Sequence, residues 1–135
     1  MKIIVTGTTG FIGRNIAESF SAEGMEIIAT GRSEAAGEAL AAAGIKFIPA
    51  DITRQSELET VFEPSDLVIH CAAKTGDWGS YAEFYKANVE GTRNVIRLCD
   101  KNGIKKILFI STPSIYYTNK DRFEVREDEP LPEKQ

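Results

Sequence analysis

A doubly wound α/β fold, with a parallel sheet covered by helices on both faces, is predicted by three features of this sequence. Strand-like runs alternate with helical ones, the first strand ends in a glycine-rich turn that opens a helix, and no repeat or low-complexity segment interrupts the alternation before the tail. Alternation of this kind implies parallel strands joined by right-handed crossovers. The expected strand order is 3-2-1-4-5, with KIIVT in the middle and a groove above the carboxyl ends of strands one and four.

Each element has a local reason. KIIVT is a β-branched run that stops at a glycine, as a buried strand does. FIGRNIAESFSAEG carries Phe11, Ile12, Ile16 and Phe20 at helical spacing and ends at Gly24. MEIIATG reads as the second strand. SEAAGEALAAAG opens on the N-cap candidate Ser33, runs through helix-forming alanines and stops at Gly44. IKFIPA is the third strand, followed by a short helix from about Gln55 to Phe62, and DLVIH is the fourth. From Ser80 to Asn102 runs the longest helical pattern, with Tyr85, Val89, Thr92, Ile96 and Cys99 as its expected inward stripe. KKILFI is the fifth strand. From Tyr117 onward the chain is highly charged, has two late prolines and no sustained period, so residues 1–116 form the expected domain and 117–135 a loop or frayed tail.

Composition narrows the function classes. The 135 residues are about one domain's worth, 42% hydrophobic and 27% charged, as in ordinary soluble globular proteins. A net charge of -4 without long blocks provides no basic face for nucleic acid. No apolar run reaches membrane-spanning length, and the opening MKIIVTG leaves no room for a signal peptide, so the expected location is cytoplasmic. Cys71 and Cys99 lie in apolar surroundings with no His or Cys at ligand spacing; they read as reduced core residues, and no metal site is expected.

The turn TGTTGFIG places Gly7, Gly10 and Gly13 three apart, after a strand and into a helix. Glycines here permit a tight turn, close backbone approach to a diphosphate, and close packing of helix on sheet. The helix N-terminus adds free N–H groups and partial positive charge. A tight turn without a ligand is the plainer alternative. About 20 residues beyond such a turn, an acid normally accepts bonds from the ribose 2′-hydroxyl. Here ATGRS puts Gly31 and Arg32 there, and a cation in place of a carboxylate favours a 2′-phosphate. NADP is therefore expected over NAD, although Arg32 also reads as an exposed loop residue. Asp51 and Ile52 follow the third strand where they can meet an adenine edge, or where Asp51 can cap a turn.

Taken in order, TGTTGFIG, ADIT, HCAAKTGDWG, FYKANVEGTRNVIRLC and FISTPSIYY resemble the extended branch of the short-chain dehydrogenase/reductases, a Rossmann-type family. The wording AAKTGDWGSYAEFYKANVEGTRNV is most similar to its 3β-hydroxysteroid and sterol dehydrogenase subgroup. The resemblance implies that Gly7, Thr9, Gly10, Phe11, Ile12 and Gly13 hold the diphosphate and Asp51 and Ile52 the adenine. It further implies that Ala72, Ala73 and Lys74 line the nicotinamide-side ribose, and that Asn88 ties the strands together near the site. His70 reads as a packed residue and is not assigned to catalysis.

Tyr116 and Lys120 have the Tyr-x-x-x-Lys spacing of the family's catalytic pair, but Pro113 and the β-branched, aromatic surroundings give them no helix. By resemblance Tyr116 is the tyrosine of a turn and Thr112 the residue that hydrogen-bonds the reacting oxygen. The catalytic pair is expected further on, so the chain reads as the N-terminal, cofactor-binding part of a longer enzyme, inactive alone. That enzyme would move hydride between nicotinamide and a secondary alcohol or ketone. The alternatives are a nucleotide-sugar epimerase or dehydratase, and a non-catalytic dinucleotide sensor. Partners expected are a small-molecule substrate and a second copy, through the 80–102 helix.

Overall fold

The computed structural model describes residues 1–118 and 122–132. Five strands, β1 (Lys2–Thr6), β2 (Glu26–Gly31), β3 (Lys46–Pro49), β4 (Leu67–His70) and β5 (Ile107–Phe109), form one sheet in the order β3-β2-β1-β4-β5, all pairs parallel. This is the doubly wound order expected, and β1 is central. Helices α1 (Phe11–Ala22), α2 (Glu34–Ala42) and α3 (Gln55–Glu59) alternate with the first four strands, and α4 (Tyr81–Tyr85) and α5 (Gly91–Lys101) follow β4. A turn of π-helix, Lys86–Glu90, joins α4 to α5, and Pro113–Tyr116 is a single 3₁₀ turn.

The central strand needs apolar residues on both faces, and Ile3, Ile4 and Val5 are fully buried. Because side chains alternate along a strand, they feed two cores. Ile4, Ile28 and Val68 pack with Val95, Leu98 and Cys99 of α5 on one side. Ile3, Val5, Ile27, Ala29 and Ile69 pack with Ala17 of α1 and Leu40 of α2 on the other. Each buried Ile, Leu or Val among them contributes about 1.5–3 kcal/mol by leaving water. Ser33 caps α2 by accepting from Ala36 N–H at 3.2 Å. Ser80 and Glu83 form a reciprocal capping box at the start of α4.

Three expectations need correction. Of the expected stripe of Tyr85, Val89, Thr92, Ile96 and Cys99, only Cys99 belongs to the buried face of α5. That face is Gly91, Val95, Leu98 and Cys99, and Ile96 is 45% exposed. The π turn breaks the single α-helical period on which the stripe was drawn. The short third helix ends at Glu59 rather than near Phe62. Cys71 is only partly buried, because it leaves the sheet at the end of β4. Among the described residues of the tail there is neither helix nor strand, and no described helix is long and apolar enough to cross a membrane.

Candidate functional site

The glycine turn sits at the carboxyl end of β1. Gly7 adopts φ +73°, and a β-carbon on it would lie 2.7 Å from Ala72 N, so only glycine lets this turn lie against the segment after β4. Gly13 brings α1 onto the turn: a β-carbon there would stand 2.4 Å from Gly7 O. Gly10 differs. Its β-carbon would meet Gly7 O at 3.4 Å, an ordinary contact, so the space beside Gly10 belongs to the groove and not to packing. Among the described residues no side chain caps α1, and Phe11, Ile12 and Gly13 of its first turn line the groove. Phe11 and Ile12, 85% and 50% exposed, form the lip of the groove rather than core.

One groove of about 760 Å³ runs across the carboxyl ends of β1, β2 and β4. Its floor and near wall hold Gly7, Thr9, Gly10, Phe11, Ile12 and Gly13, one end holds Arg32, Asp51 and Ile52, and the far wall holds Ala72, Ala73 and Lys74. Every residue assigned to the cofactor from the sequence lines this groove except Asn88. Arg32 is exposed and forms no ion pair with a described residue. Asp51 both lines the groove and caps a turn, its Oδ1 accepting from Thr53 N–H at 2.8 Å. Partial desolvation works to raise its pKa, but the bonds from Thr53 and the charges of Arg32 and Arg54 outweigh it and hold the carboxyl below its usual range.

Asn88 acts one layer back. It lies in the π turn, and its amide grips the backbone of Lys74: Oδ1 accepts from Lys74 N–H at 2.7 Å and Nδ2 donates to Lys74 C=O at 3.0 Å. The far wall is also tied to the sheet through His70, which is 1% exposed. Thr92 donates its hydroxyl to Asn88 C=O at 2.7 Å, which leaves Thr92 Oγ1 to accept from His70 Nε2 at 3.0 Å. His70 Nδ1 then accepts from Thr6 Oγ1 at 2.7 Å, and Thr6 Oγ1 in turn accepts from Ala72 N–H at 3.3 Å. All four bonds run in one direction and fix the Nε2–H tautomer. Burial pushes the imidazole pKa down to about 4, which keeps it neutral.

Sequence reasoning missed Thr6 and Thr92, whose roles depend on partners distant in the chain. It also missed Thr30, which lines the groove with a buried hydroxyl that has no hydrogen-bond partner among the described residues. Its place at the end of β2, one residue before Gly31, was the available signal.

Thr112 does not face this groove. It caps the 3₁₀ turn, where Oγ1 accepts from Ser114 N–H at 3.2 Å, and it lines a separate cavity of about 690 Å³ with Tyr116 and Arg126. Tyr116 donates its hydroxyl to Glu127 C=O at 2.8 Å, and Lys120 lies outside the described residues. Among the described residues no group of three His, Cys, Asp or Glu side chains is gathered as a metal site.

Residues 3–135 match the family model described as "NAD dependent epimerase/dehydratase family". The chain is 36% identical over 115 residues to a 2-alkyl-3-oxoalkanoate reductase of Stenotrophomonas maltophilia, covering 85% of this chain and 34% of that one. It is 28% identical over 135 residues to a sterol-4-alpha-carboxylate 3-dehydrogenase, decarboxylating, of Dictyostelium discoideum, covering 97% and 41%. In structure it resembles UDP-glucose 4-epimerase of Bifidobacterium longum in complex with NAD+ and UDP, with a TM-score of 0.84 at 27% identity, covering 98% of this chain and 43% of that one. The chain thus spans well under half the length of each of these proteins.

Proposed function

Since the chain belongs to the NAD-dependent epimerase/dehydratase family, we propose that its groove binds a nicotinamide dinucleotide, NADP in preference to NAD, as the cofactor portion of an oxidoreductase. The observation that supports this most is the continuity of one groove from Arg32, past an uncapped helix N-terminus, to Ala72–Lys74. A diphosphate fits the space beside Gly10, where the first-turn amides of α1 supply donors and partial positive charge. Arg32, exposed and in no ion pair with a described residue, is a cation available to a 2′-phosphate, next to Gly31 where an acid would repel one. Asp51, held ionised, and Ile52 flank the adenine end. Asn88 and the neutral His70 keep the nicotinamide-side wall in place.

The bound cofactor would supply the hydride donor or acceptor carbon; Thr112, to which the family resemblance gives the task of orienting the reacting oxygen, lies outside the groove and finds no support for that task in its position. The names of the two oxidoreductase relatives share one chemical unit, an oxygen-bearing carbon next to a carbon that bears a carboxylate. A 2-substituted 3-oxo or 3-hydroxy acid is therefore the proposed substrate class of the whole enzyme. Nucleotide-sugar epimerisation is the second reading, favoured by the likeness to the 4-epimerase.

Calorimetric titration with NADP+ and NAD+ tests the cofactor assignment. Loss of a charge-assisted contact in Arg32→Ala should cost NADP+ about 1.5–3 kcal/mol, roughly ten- to a hundredfold, and leave NAD+ little changed. Tighter NAD+ binding by the wild type, or an unchanged preference in the variant, would refute it.

A further inference from the structure

Thr9 and Gly31 meet across the top of the sheet, from the glycine turn and the last position of β2. A β-carbon on Gly31 would lie 2.7 Å from both Cγ2 and Oγ1 of Thr9, and 3.2 Å from its Cβ. The first two distances are shorter than atoms tolerate. Rotating Thr9 does not clear the space. Its two heavy γ atoms fill two of three staggered positions, both facing Gly31, so either alternative rotamer still leaves one of those positions filled. Serine, with a single γ atom, can vacate both. Gly31 is buried and Thr9 half-buried, and both line the groove beside Arg32.

Gly31 holds the place where a dinucleotide site normally carries its ribose-binding acid. Resting on the dinucleotide reading above, we propose that Thr9 is a specificity-determining residue: it occupies the volume through which a side chain at position 31 would enter the groove, and so keeps a carboxylate from the adenosine 2′ end. Gly31 and Thr9 are then one coupled device. Glycine at 31 is required by Thr9 as much as by the ligand, and discrimination at the 2′ position falls to Arg32.

Two mutant cycles test this. In the first, thermal unfolding is measured for wild type, Thr9→Ser, Gly31→Ala and the double variant. Gly31→Ala should lower Tm, and Thr9→Ser should restore most of the loss, because alanine adds only the clashing atom. In the second, NAD+ and NADP+ affinities are measured for Gly31→Asp with and without Thr9→Ser. The single variant should bind both dinucleotides weakly, and the double should prefer NAD+ by about tenfold or more. Additive Tm changes would overturn the inference. So would a single Gly31→Asp variant that turns to NAD+ as fully as the double. A wild type that binds neither dinucleotide would defeat the reading of the groove, and the specificity claim with it, whereas a non-additive Tm cycle would still uphold the packing of Thr9 on Gly31.

Discussion

Asn88 holds Lys74 by both polar groups of its backbone, accepting from the N–H at 2.7 Å and donating to the C=O at 3.0 Å. A side chain in the π turn thereby sets the path of the groove's far wall. Asn88→Ala should leave both half-buried groups without their partner, at a cost of about 1–3 kcal/mol in stability, with weaker dinucleotide binding as a consequence. Urea denaturation would show a lower midpoint at unchanged slope. An unchanged midpoint would mean that the wall holds without the clamp.

His70 makes stability depend on pH. Its pKa of about 4 in the folded chain lies below the ordinary 6.5, so between these values the unfolded chain takes up a proton that the folded one refuses. The contribution is therefore fully present above about pH 6.5 and lost as pH falls toward 4, some 3 kcal/mol in all. Denaturation midpoints of wild type and His70→Gln across this range isolate it, because acid-sensitive carboxylates such as Asp51 are common to both. The wild-type curve should fall more steeply than the variant's. Parallel curves would place a solvated imidazole at position 70.

A homodimer is proposed through the Tyr81–Lys101 helical segment, which leaves Tyr81 81% and Ile96 45% exposed; Trp78, three positions before it, is 90% exposed. Such apolar surface gains by being covered. Light scattering over a range of concentrations should give a dimer mass, and Ile96→Glu should shift it to monomer. A monomeric wild type at every concentration would remove this expectation.

The strands and the glycine turn were legible because their causes are local. KIIVT is β-branched and buried on both faces, and the turn after it opens on Gly7 at φ +73°, a backbone conformation that favours glycine. The groove residues followed, since parallel topology gathers the carboxyl ends of the strands. What could not be read depends on contacts between distant segments. The π turn leaves no periodic mark of its own, so the inward face of α5 was assigned to Ile96 in place of Val95 and Leu98. Thr6 and His70 are separated by 64 positions, and nothing in either neighbourhood announces their bond. The contact of Thr9 with Gly31 is hidden for the same reason.

Gly10 offers the most direct test that the groove holds a dinucleotide. A β-carbon there makes only an ordinary contact with Gly7 O at 3.4 Å, whereas one on Gly13 would strike that oxygen at 2.4 Å. Gly10→Val should therefore keep the fold while filling the diphosphate's space, and Gly13→Val should lose stability by about 1–3 kcal/mol. The decisive measurement is calorimetric titration of NADP+ into wild type and Gly10→Val, with circular dichroism to verify folding. Saturable binding to the wild type and none to a folded Gly10→Val is the expected result. No binding to the wild type, or equal binding to both, would contradict it.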